Sequence, residues 1–579
     1  MVKRFNALFF YYLLTGLVLS VQAQHTNYKL TLEISDNGRS LQNSEFELPD
    51  SLAIYQLTNR LTDSLQWQGY LNVEDSLVFL NERNVRLLVE TGPQFDWLYL
   101  EEGNLEPWML GKSGFGRIRF QEQPFRFGDV SQLIGQVLEA GQNQGYPFIA
   151  VNLDSLTVSE NQVGARIKVK KGPWIAFDTL QITGDSRTQS IYLARKLKLL
   201  PGEPFSQKKL DQALVVLGNI PYIRLDGSPE LSFQNEEATV YLPVNDRKIN
   251  TLDGIIGLLP NEVEANKWLV TGQFDVQLYN VSGKGRDYLL NWQRLSQYSQ
   301  NLRVEAKEPF VLGSQLDLGL AFSFLKEDTT FLNREFNVKI GLQLAPKTYL
   351  SFFGKREAGD LLDVSRYEAA SELPDIADFR FNNYGATIDF NDVDDILMPK
   401  SGWRGSFMAG IGNKRLVENT ALPQALYEDA KKNTIQYYLQ GNVERYIQWQ
   451  RKLSTKLAAN GGEMYNSNLF LNDLFRLGGL QSIRGFNENY FFASRYLYFT
   501  IEPRYYISDE SYFLLFSDLG MLENRVTKRP TEWPVAFGGG LSLETNGGIF
   551  TFVYALGEAS NQPIGFSYSR IHFGFTGRF

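Results

Sequence analysis

The chain has 579 residues, a net charge of −8, two histidines and no cysteine. The absence of cysteine excludes disulfide frameworks, thiolate metal sites and thiol nucleophiles, and the acidic balance argues against a nucleic-acid-binding protein. A mean hydropathy of −0.26 excludes a bundle of membrane-spanning helices, each of which needs about 20 apolar residues, yet aromatic residues make up 14% of the chain.

The first 23 residues are typical of a secretory signal peptide. Lys3 and Arg4 precede an apolar stretch over 5–21, and a cleavage site follows at Ala23. The alternative is a membrane anchor, which the shortness of the apolar run disfavours. We therefore expect export, with the mature chain in the periplasm, in the medium, or in the outer membrane as a β-barrel.

The N-terminal half contains an internal repeat. Amphipathic helices are predicted over 51–71, 129–148 and 206–223, and each is followed by two β-patterned runs. A tyrosine follows each helical stripe at a constant interval of 76 residues (146 − 70 and 222 − 146): Tyr70, Tyr146 and Tyr222. A further helix at about 188–198 gives the third unit the order β-α-α-β-β. The constant period indicates three units, each with a small α+β core.

These units resemble POTRA domains, the periplasmic modules of outer-membrane insertases. The resemblance is carried by the Gly-Tyr pair after the second helix and by the Gly-Glu-Pro-Phe stretch at 202–205. It implies POTRA-like domains (β-α-α-β-β) over 24–94, 95–173 and 174–248. The alternative is an array of another small α+β fold.

The C-terminal half, 249–579, changes to strict alternation. In 270–278 and 316–324, large apolar residues alternate with glycines, amides and charges. This pattern suits lipid outside and water inside, and backbone groups in lipid must all be paired, so the strands have to close. About sixteen such runs predict an all-β transmembrane barrel of about 16 antiparallel strands. The aromatic excess is then expected chiefly on the lipid face and its girdles.

The final strand carries a further signal. Phe573, Phe575 and Phe579 share one face of the last alternating segment. A terminal phenylalanine in this setting resembles the C-terminal β-signal by which outer-membrane proteins are recognised for insertion.

A loop of about thirty residues carries the most specific motif. Residues 477–486 read Leu-Gly-Gly-Leu-Gln-Ser-Ile-Arg-Gly-Phe, and they precede a strand with Glu502 and a Phe-Ser-Asp-Leu-Gly stretch at 516–520. These resemble the [VI]-R-G-[FY] loop motif, the strand glutamate and the F-x-D-x-G motif of the BamA/TamA-type insertase family. Residues 394–402 resemble that family's D-x-P-x-x-G stretch, with a longer insert before the proline. The resemblance covers essentially all of the mature chain, and three modules are most like the TamA-type subgroup.

Strand alternation predicts a lumen ion cluster. Glu502 and Asp518 fall on the inward face, where Arg484 from the loop could bind both as a planar fork. Gly485 would permit a tight turn, and Phe486 would pack against the inner wall. The alternative is a surface loop with an ordinary arginine and two unrelated lumen carboxylates.

The resemblance also implies a lateral gate between the first and last barrel strands. Glycines, which weaken strand interiors, occur in both strands: Gly254, Gly257, Gly574 and Gly577. An open seam would present unpaired edges to an incoming hairpin. A disulfide between residues near 255 and 575 is predicted to block function.

No motif supports an enzyme. The Gly-Lys-Ser at 111–113 lacks the upstream glycine of a phosphate loop, and neither G-x-S-x-G nor H-E-x-x-H occurs. We expect no catalytic residue, no cofactor and no metal.

The function implied by the resemblance is assembly and insertion of outer-membrane proteins, by β-augmentation at POTRA edges and by lateral gating. The expected partners are unfolded outer-membrane protein clients, outer-membrane lipid and accessory periplasmic or lipoprotein subunits, without nucleic acid. The expected location is the cell outer membrane, with the N-terminal domains in the periplasm. The alternatives are a polypeptide transporter of the two-partner secretion type and, less favoured, a passive pore.

Overall fold

The structure is a computed structural model, and it describes residues 28–36, 39–115, 123–260, 268–294, 298–367, 370–527 and 530–579. The predicted signal peptide lies outside the described residues. The chain divides into two compact units: one ends at Ala176 and takes in Pro204–Gln207, and the other comprises Phe177–Glu203 and Lys208–Phe579. In the described part of the chain, no helix is both long and apolar enough to cross a membrane.

The first module is a four-stranded sheet with one helix. Its elements are β1 (Tyr28–Asp36), β2 (Arg39–Leu48), α1 (Ser51–Trp67), β3 (Glu74–Phe79) and β4 (Asn84–Glu90). The strand order is β2-β1-β4-β3, with β1 and β4 parallel. Ile54, Leu61 and Leu65 of the helix are buried in a core with the apolar face of β1 and β4. Asp50 caps the helix by accepting the amide N–H of Ala53 at 2.7 Å.

This module departs from the expected order β-α-α-β-β, because β2 takes the place of the first helix and the order is β-β-α-β-β. The strand pairs antiparallel with β1 from Tyr28↔Leu48 to Asp36↔Arg39. The physical reason lies in the sequence: around Phe46 and Leu48, apolar residues alternate with glutamates at a period of two, which suits a half-buried strand.

The second module has the predicted order. Its elements are β5 (Asp96–Glu101), α2 (Pro107–Ser113), α3 (Phe127–Gln142), β6 (Ala150–Ser159) and β7 (Gln162–Lys170). The sheet order is β5-β7-β6, and the core is built around Trp97, Met109 and Val137. The joint with the first module uses Gly69, whose φ of +96° suits glycine and whose carbonyl accepts the amide N–H of Phe95 at 2.9 Å.

The third module follows the same plan. Its elements are β8 (Ala176–Ile182), α4 (Ser190–Leu197), α5 (Gln207–Gly218), β9 (Ile223–Leu225), β10 (Glu230–Gln234), β11 (Glu237–Leu242) and β12 (Val244–Asp246). The sheets run β10-β11-β8 and β12-β9. The repeat tyrosine Tyr222 is buried, and its hydroxyl lies 2.5 Å from that of Tyr192. POTRA-like α+β modules therefore precede the barrel, as predicted.

The barrel is closed and has sixteen strands, which confirms the predicted fold class. Its first half comprises β13 (Thr251–Pro260), β14 (Trp268–Val281), β15 (Arg286–Arg294), β16 (Gln300–Glu308), β17 (Asp317–Glu327), β18 (Phe331–Ala345), β19 (Thr348–Leu361) and β20 (Phe379–Val393). Then come β21 (Gly402–Leu416), β22 (Asn433–Gln450), β23 (Leu453–Tyr465), a loop hairpin of β24 (Phe475–Leu477) and β25 (Phe491–Ala493), β26 (Arg495–Tyr506), β27 (Tyr512–Glu523), β28 (Val535–Thr545), β29 (Gly548–Glu558) and β30 (Arg570–Arg578).

The barrel has a large apolar outer face and a lumen that also contains aromatic rings. Phe499 and Phe513 are about half exposed on the outside. Tyr446, Tyr496 and Tyr498, by contrast, are buried on the inward face. The aromatic excess is thus divided between the outer face and the lumen, and both phenylalanines and tyrosines occur on each of the two faces.

Candidate functional site: the lumen loop and the barrel seam

Two neighbouring strands carry the carboxylates that alternation placed inside. On β26, Leu497 and Ile501 are exposed on the outer face, whereas Glu502 is buried. On β27, Leu519 is exposed outside and Asp518 is fully buried. Because β26 and β27 pair antiparallel, the two carboxylates lie on adjacent strands of the inner wall.

The loop over 466–494, called the lumen loop below, brings Arg484 onto both carboxylates. Its Nε and Nη2 atoms donate to the two oxygens of Asp518 at 2.8 and 2.7 Å, and Nη1 donates to Glu502 at 2.5 Å. The backbone N–H of Arg484 also donates to Asp518, at 3.1 Å. Two N–H groups on one carboxylate form the bidentate geometry that favours arginine over lysine.

Arg504, which sequence reasoning missed, completes the cluster. It donates to the second oxygen of Glu502 from Nε at 2.9 Å, so that two guanidinium groups face two carboxylates and the net charge is zero. Thr500 donates to Asp518 at 2.8 Å. The signal was present in the strand period, since Arg504 lies two residues from Glu502 and therefore on the same face.

The next two residues dock the loop tip on β29. Gly485 has a φ of +86°, and a Cβ there would lie 2.8 Å from the backbone of Leu556, so both conformation and space require glycine. Gln562 donates to the carbonyl of Gly485 at 3.0 Å. The ring of Phe486 is fully buried and meets Phe491 edge-on, with 4.7 Å between centroids.

The seam between β13 and β30 is the most weakly paired in the barrel. Only two residue pairs join these strands within the described residues, Thr251↔Arg578 and Leu252↔Gly577, compared with eight between β29 and β30. Gly577 lies in the paired stretch, where a Cβ would come within 3.0 Å of the carbonyl of Leu252. The other three predicted glycines lie where the described residues show no partner across the seam: Gly254, Gly257 and Gly574.

The aromatic face of the last strand points outward. Phe573, Phe575 and Phe579 are each exposed by roughly half or more of their surface, at 71%, 46% and 57%. Phe573 meets Phe550 of β29 edge-on at 5.1 Å. The terminal residue also ties the seam, because the amide N–H of Phe579 donates to the carbonyl of Asn250 at 3.1 Å.

The 394–402 turn binds the segment that leads from the third module into β13. Asp395 accepts the amide N–H groups of Leu397 and Met398, and its two oxygens accept from Nη1 and Nη2 of Arg247 at 2.9 and 3.3 Å. Burial raises the pKa of Asp395, but the bond from Arg247 and the backbone amides lower it by more, so that it lies below its ordinary value. The motif thus fixes a residue four positions before the first barrel strand.

No group of three or more histidine and carboxylate side chains in the described residues is arranged to hold a metal ion. The buried charges near the loop are instead paired with one another.

Comparison with known proteins identifies the family. The model of the Omp85 superfamily domain matches residues 280–579, slightly more than half of the chain. No curated protein matches the sequence significantly.

Three solved structures are similar to the chain. CdiB from Acinetobacter baumannii is 13% identical with a TM-score of 0.53, over 91% of this chain and 97% of that one. CdiB from Escherichia coli is 11% identical with a TM-score of 0.52, over 91% and 98%. BamA from Haemophilus ducreyi lacking POTRA domains 1–3 is 15% identical with a TM-score of 0.42, over 84% and 100%. The CdiB likeness supports the fold, and the family match covers the barrel from the end of β14 onward, including the lumen loop: the chain belongs to the Omp85 superfamily.

Proposed function

We propose that the chain is a TamA-like insertase that assembles β-barrel proteins in the outer membrane, with its N-terminal modules in the periplasm. Unfolded outer-membrane proteins are its clients, outer-membrane lipid surrounds its working seam, and periplasmic or lipoprotein subunits assist it. It acts through strand edges and needs no catalytic residue or cofactor.

The observation that carries the proposal is the short seam between β13 and β30. In the described part of the chain two residue pairs hold it, so most of the facing edges of both strands are available there to a third strand. A client hairpin can pair with these edges by β-augmentation, because an exposed edge offers a row of free N–H and C=O groups. Opening at this place leads sideways into the membrane, where a nascent barrel has to go.

The occupied lumen favours this lateral route over passage through the barrel. Arg484 holds the lumen loop to β26 and β27 by buried, charge-assisted bonds. A polypeptide crossing the lumen would have to displace the loop and leave Glu502 and Asp518 less well compensated. Removing one partner of a buried ion pair costs about 3–5 kcal/mol, which disfavours a secretion transporter or an open pore.

The modules offer edges for holding clients before insertion. In the second module β6 is an edge strand, and its far half is exposed, with Leu156 at 62% and Val158 at 63%. Exposed apolar side chains beside free backbone groups suit an extended, partly apolar client segment.

Depletion of the protein followed by a survey of the outer-membrane proteome tests the proposal. We expect a broad loss of folded β-barrel proteins. Loss of a single secreted polypeptide would instead indicate a two-partner transporter, and altered solute uptake with a normal proteome would indicate a pore; either result refutes the proposal.

A further inference from the structure

The lumen loop has a second buried attachment to the barrel, which precedes the Arg-Gly-Phe motif in the sequence. Lys414 of β21 and Asp473 of the loop form an ion pair whose side chains are 1% and 2% exposed. The ammonium group also donates to the carbonyl of Asn468 at 2.9 Å. The rings of Phe379 and Phe470 lie 4.8 and 4.6 Å from it, so a strongly hydrated cation has been enclosed completely.

Asp473 also organises the loop around itself. It accepts the amide N–H of Phe470 at 2.8 Å. The preceding residue has two further bonds: Asn472 donates to the carbonyl of Ala377, in the connection between β19 and β20, at 3.1 Å, and its own carbonyl accepts from Asn333 of β18 at 2.7 Å. The loop is therefore fixed here by its backbone as well as by charge.

The two attachments lie on different arcs of the wall. In barrel order β21 is the ninth strand, whereas β26 and β27, which bind Arg484, are the twelfth and thirteenth. Arg476 extends the first arc, because it donates to Glu327 of β17, the fifth strand, at 3.0 Å. Gly485 extends the second arc to β29, the fifteenth strand. The loop is thus a strut across the lumen with an anchor at each end.

We propose that Lys414 and Asp473 are positioning residues for Arg484: the pair holds the first end of the strut, and this keeps the guanidinium group on its two carboxylates and the lumen closed. The role in assembly rests on the proposed function, whereas the position of the loop does not. Without this pair, the nine residues between Asp473 and Ile483 would depend on the bond from Arg476 to Glu327 for their attachment to the first arc. The segment could then move and draw Arg484 away from its carboxylates.

A cysteine reporter tests the position of the loop directly, since the chain has no cysteine of its own. Ile483 is fully buried beside Arg484, so Ile483→Cys should react slowly with a maleimide in the purified, folded protein. In that background we expect Asp473→Asn to increase the labelling rate at least about tenfold, because an amide cannot compensate the buried ammonium group. Single-channel conductance in planar bilayers should increase as well, at least about threefold.

The matched control is an exposed ion pair in the loop that joins β21 to β22. Lys432 and Glu418 lie 2.5 Å apart with side chains 55% and 42% exposed, and Glu418→Gln should change neither readout. The neutral double variant Lys414→Gln/Asp473→Asn removes the lone charge and should label at a rate between wild type and Asp473→Asn. Only protein that keeps the heat-modifiable mobility of a folded barrel is measured. If Asp473→Asn does not fold, the double variant decides, with at least about threefold faster labelling than wild type expected.

Labelling at the wild-type rate in the folded variants would overturn the proposal. So would an equal increase in Glu418→Gln, because the effect would then not belong to the buried pair. A different outcome is faster labelling of Asp473→Asn together with an outer-membrane proteome that does not change when the protein is depleted. That outcome would support the positioning role of the pair and refute the proposed function instead.

Discussion

The proposed lateral gate is tested by a disulfide placed in the paired stretch of the seam. The bond from Phe579 to Asn250 makes these two residues a hydrogen-bonded pair. Hydrogen-bonded and non-hydrogen-bonded pairs alternate between antiparallel strands, so Thr251 and Arg578 form the non-hydrogen-bonded pair, where side chains approach most closely. Thr251→Cys/Arg578→Cys is therefore the variant of choice. It replaces the sequence-based estimate near 255 and 575, a stretch without pairing across the seam in the described residues.

The structure sets the scale of the effect. The bonds at the seam amount to about three backbone hydrogen bonds, each contributing about 1 kcal/mol net. Opening then costs about 3 kcal/mol, and the open state is populated on the order of 1%. By the same reasoning the eight pairs between β29 and β30 hold about 8 kcal/mol, which leaves an open fraction on the order of one in a million. Of these two seams, only the one between β13 and β30 would then open often enough to serve a client of the proposed insertase.

The assay measures folding of reporter outer-membrane barrels, by heat-modifiable mobility, in a strain that depends on the variant. We expect the oxidised variant to assemble reporters at less than about a tenth of the wild-type rate, with full recovery on reduction. Ala409→Cys/Leu439→Cys is the matched control, because it joins β21 and β22 on the outer face within a continuous ladder of pairs. Arg578→Cys alone controls for loss of the bond to Glu510. Wild-type assembly by a variant with a verified disulfide would refute gating at this seam.

Three further variants probe the other contacts. Arg484→Ala should impair assembly in a complementation assay while the barrel still folds, because about 3–5 kcal/mol of the free energy that docks the loop is lost. Normal complementation would contradict a role for the lumen loop. The defect of Arg484→Lys should be milder than that of Arg484→Ala. Arg247→Ala should increase proteolysis between the third module and β13. In wild type the same increase should occur only below about pH 4, because the folded pKa of Asp395 is lowered and the stability that this carboxylate contributes above its unfolded pKa is lost on protonation. Cleavage independent of pH would exclude the contact between Arg247 and Asp395 as the cause. Val158→Lys should reduce crosslinking to an extended client peptide several-fold with unchanged module stability, because a charge on an edge strand opposes pairing; unchanged crosslinking would place client binding elsewhere.

The alternation of apolar and polar residues with a period of two was the sequence feature that predicted most of the barrel and its inward-facing residues. Because side chains alternate strictly in a strand, Leu497 and Ile501 fix the face of Glu502 without any knowledge of the fold. The same argument gave Asp518, and a long loop with one arginine then had two carboxylates to meet. The number of strands followed from counting alternating runs.

Contacts between distant segments could not be read in this way. Lys414 is one of several inward residues of β21, and nothing local distinguishes it from a solvated lysine. Its partner Asp473 lies 59 residues away in an irregular loop, where no period applies. Gln562 was missed for the same reason, since it reaches Gly485 from another loop.

The first module shows how a repeat can mislead. Its helix and closing Tyr70 match the other units, and the period of 76 residues encouraged a common plan. Yet the segment before the helix alternates with a period of two, and β2 forms there. The local pattern determined the structure, because a segment whose apolar residues recur at every second position places them on one face as a strand, whereas a helix would scatter them around its surface.

The placement of bonds in the barrel separates a fixed part from a movable one. The lumen loop is fastened to strands from β17 to β29, through Glu327, Lys414, Glu502, Asp518 and the backbone at Leu556. Within the described residues, none of its hydrogen bonds goes to β13 or β30. Among the described residues, the seam can therefore open without breaking a buried ion pair. The bonds that would be lost are the few between backbone groups, which a client strand of the proposed insertase could replace in kind. The proposed insertase would need this asymmetry: a wall rigid enough to keep the lumen closed, and one edge whose own pairing is weak enough to be exchanged for that of its client.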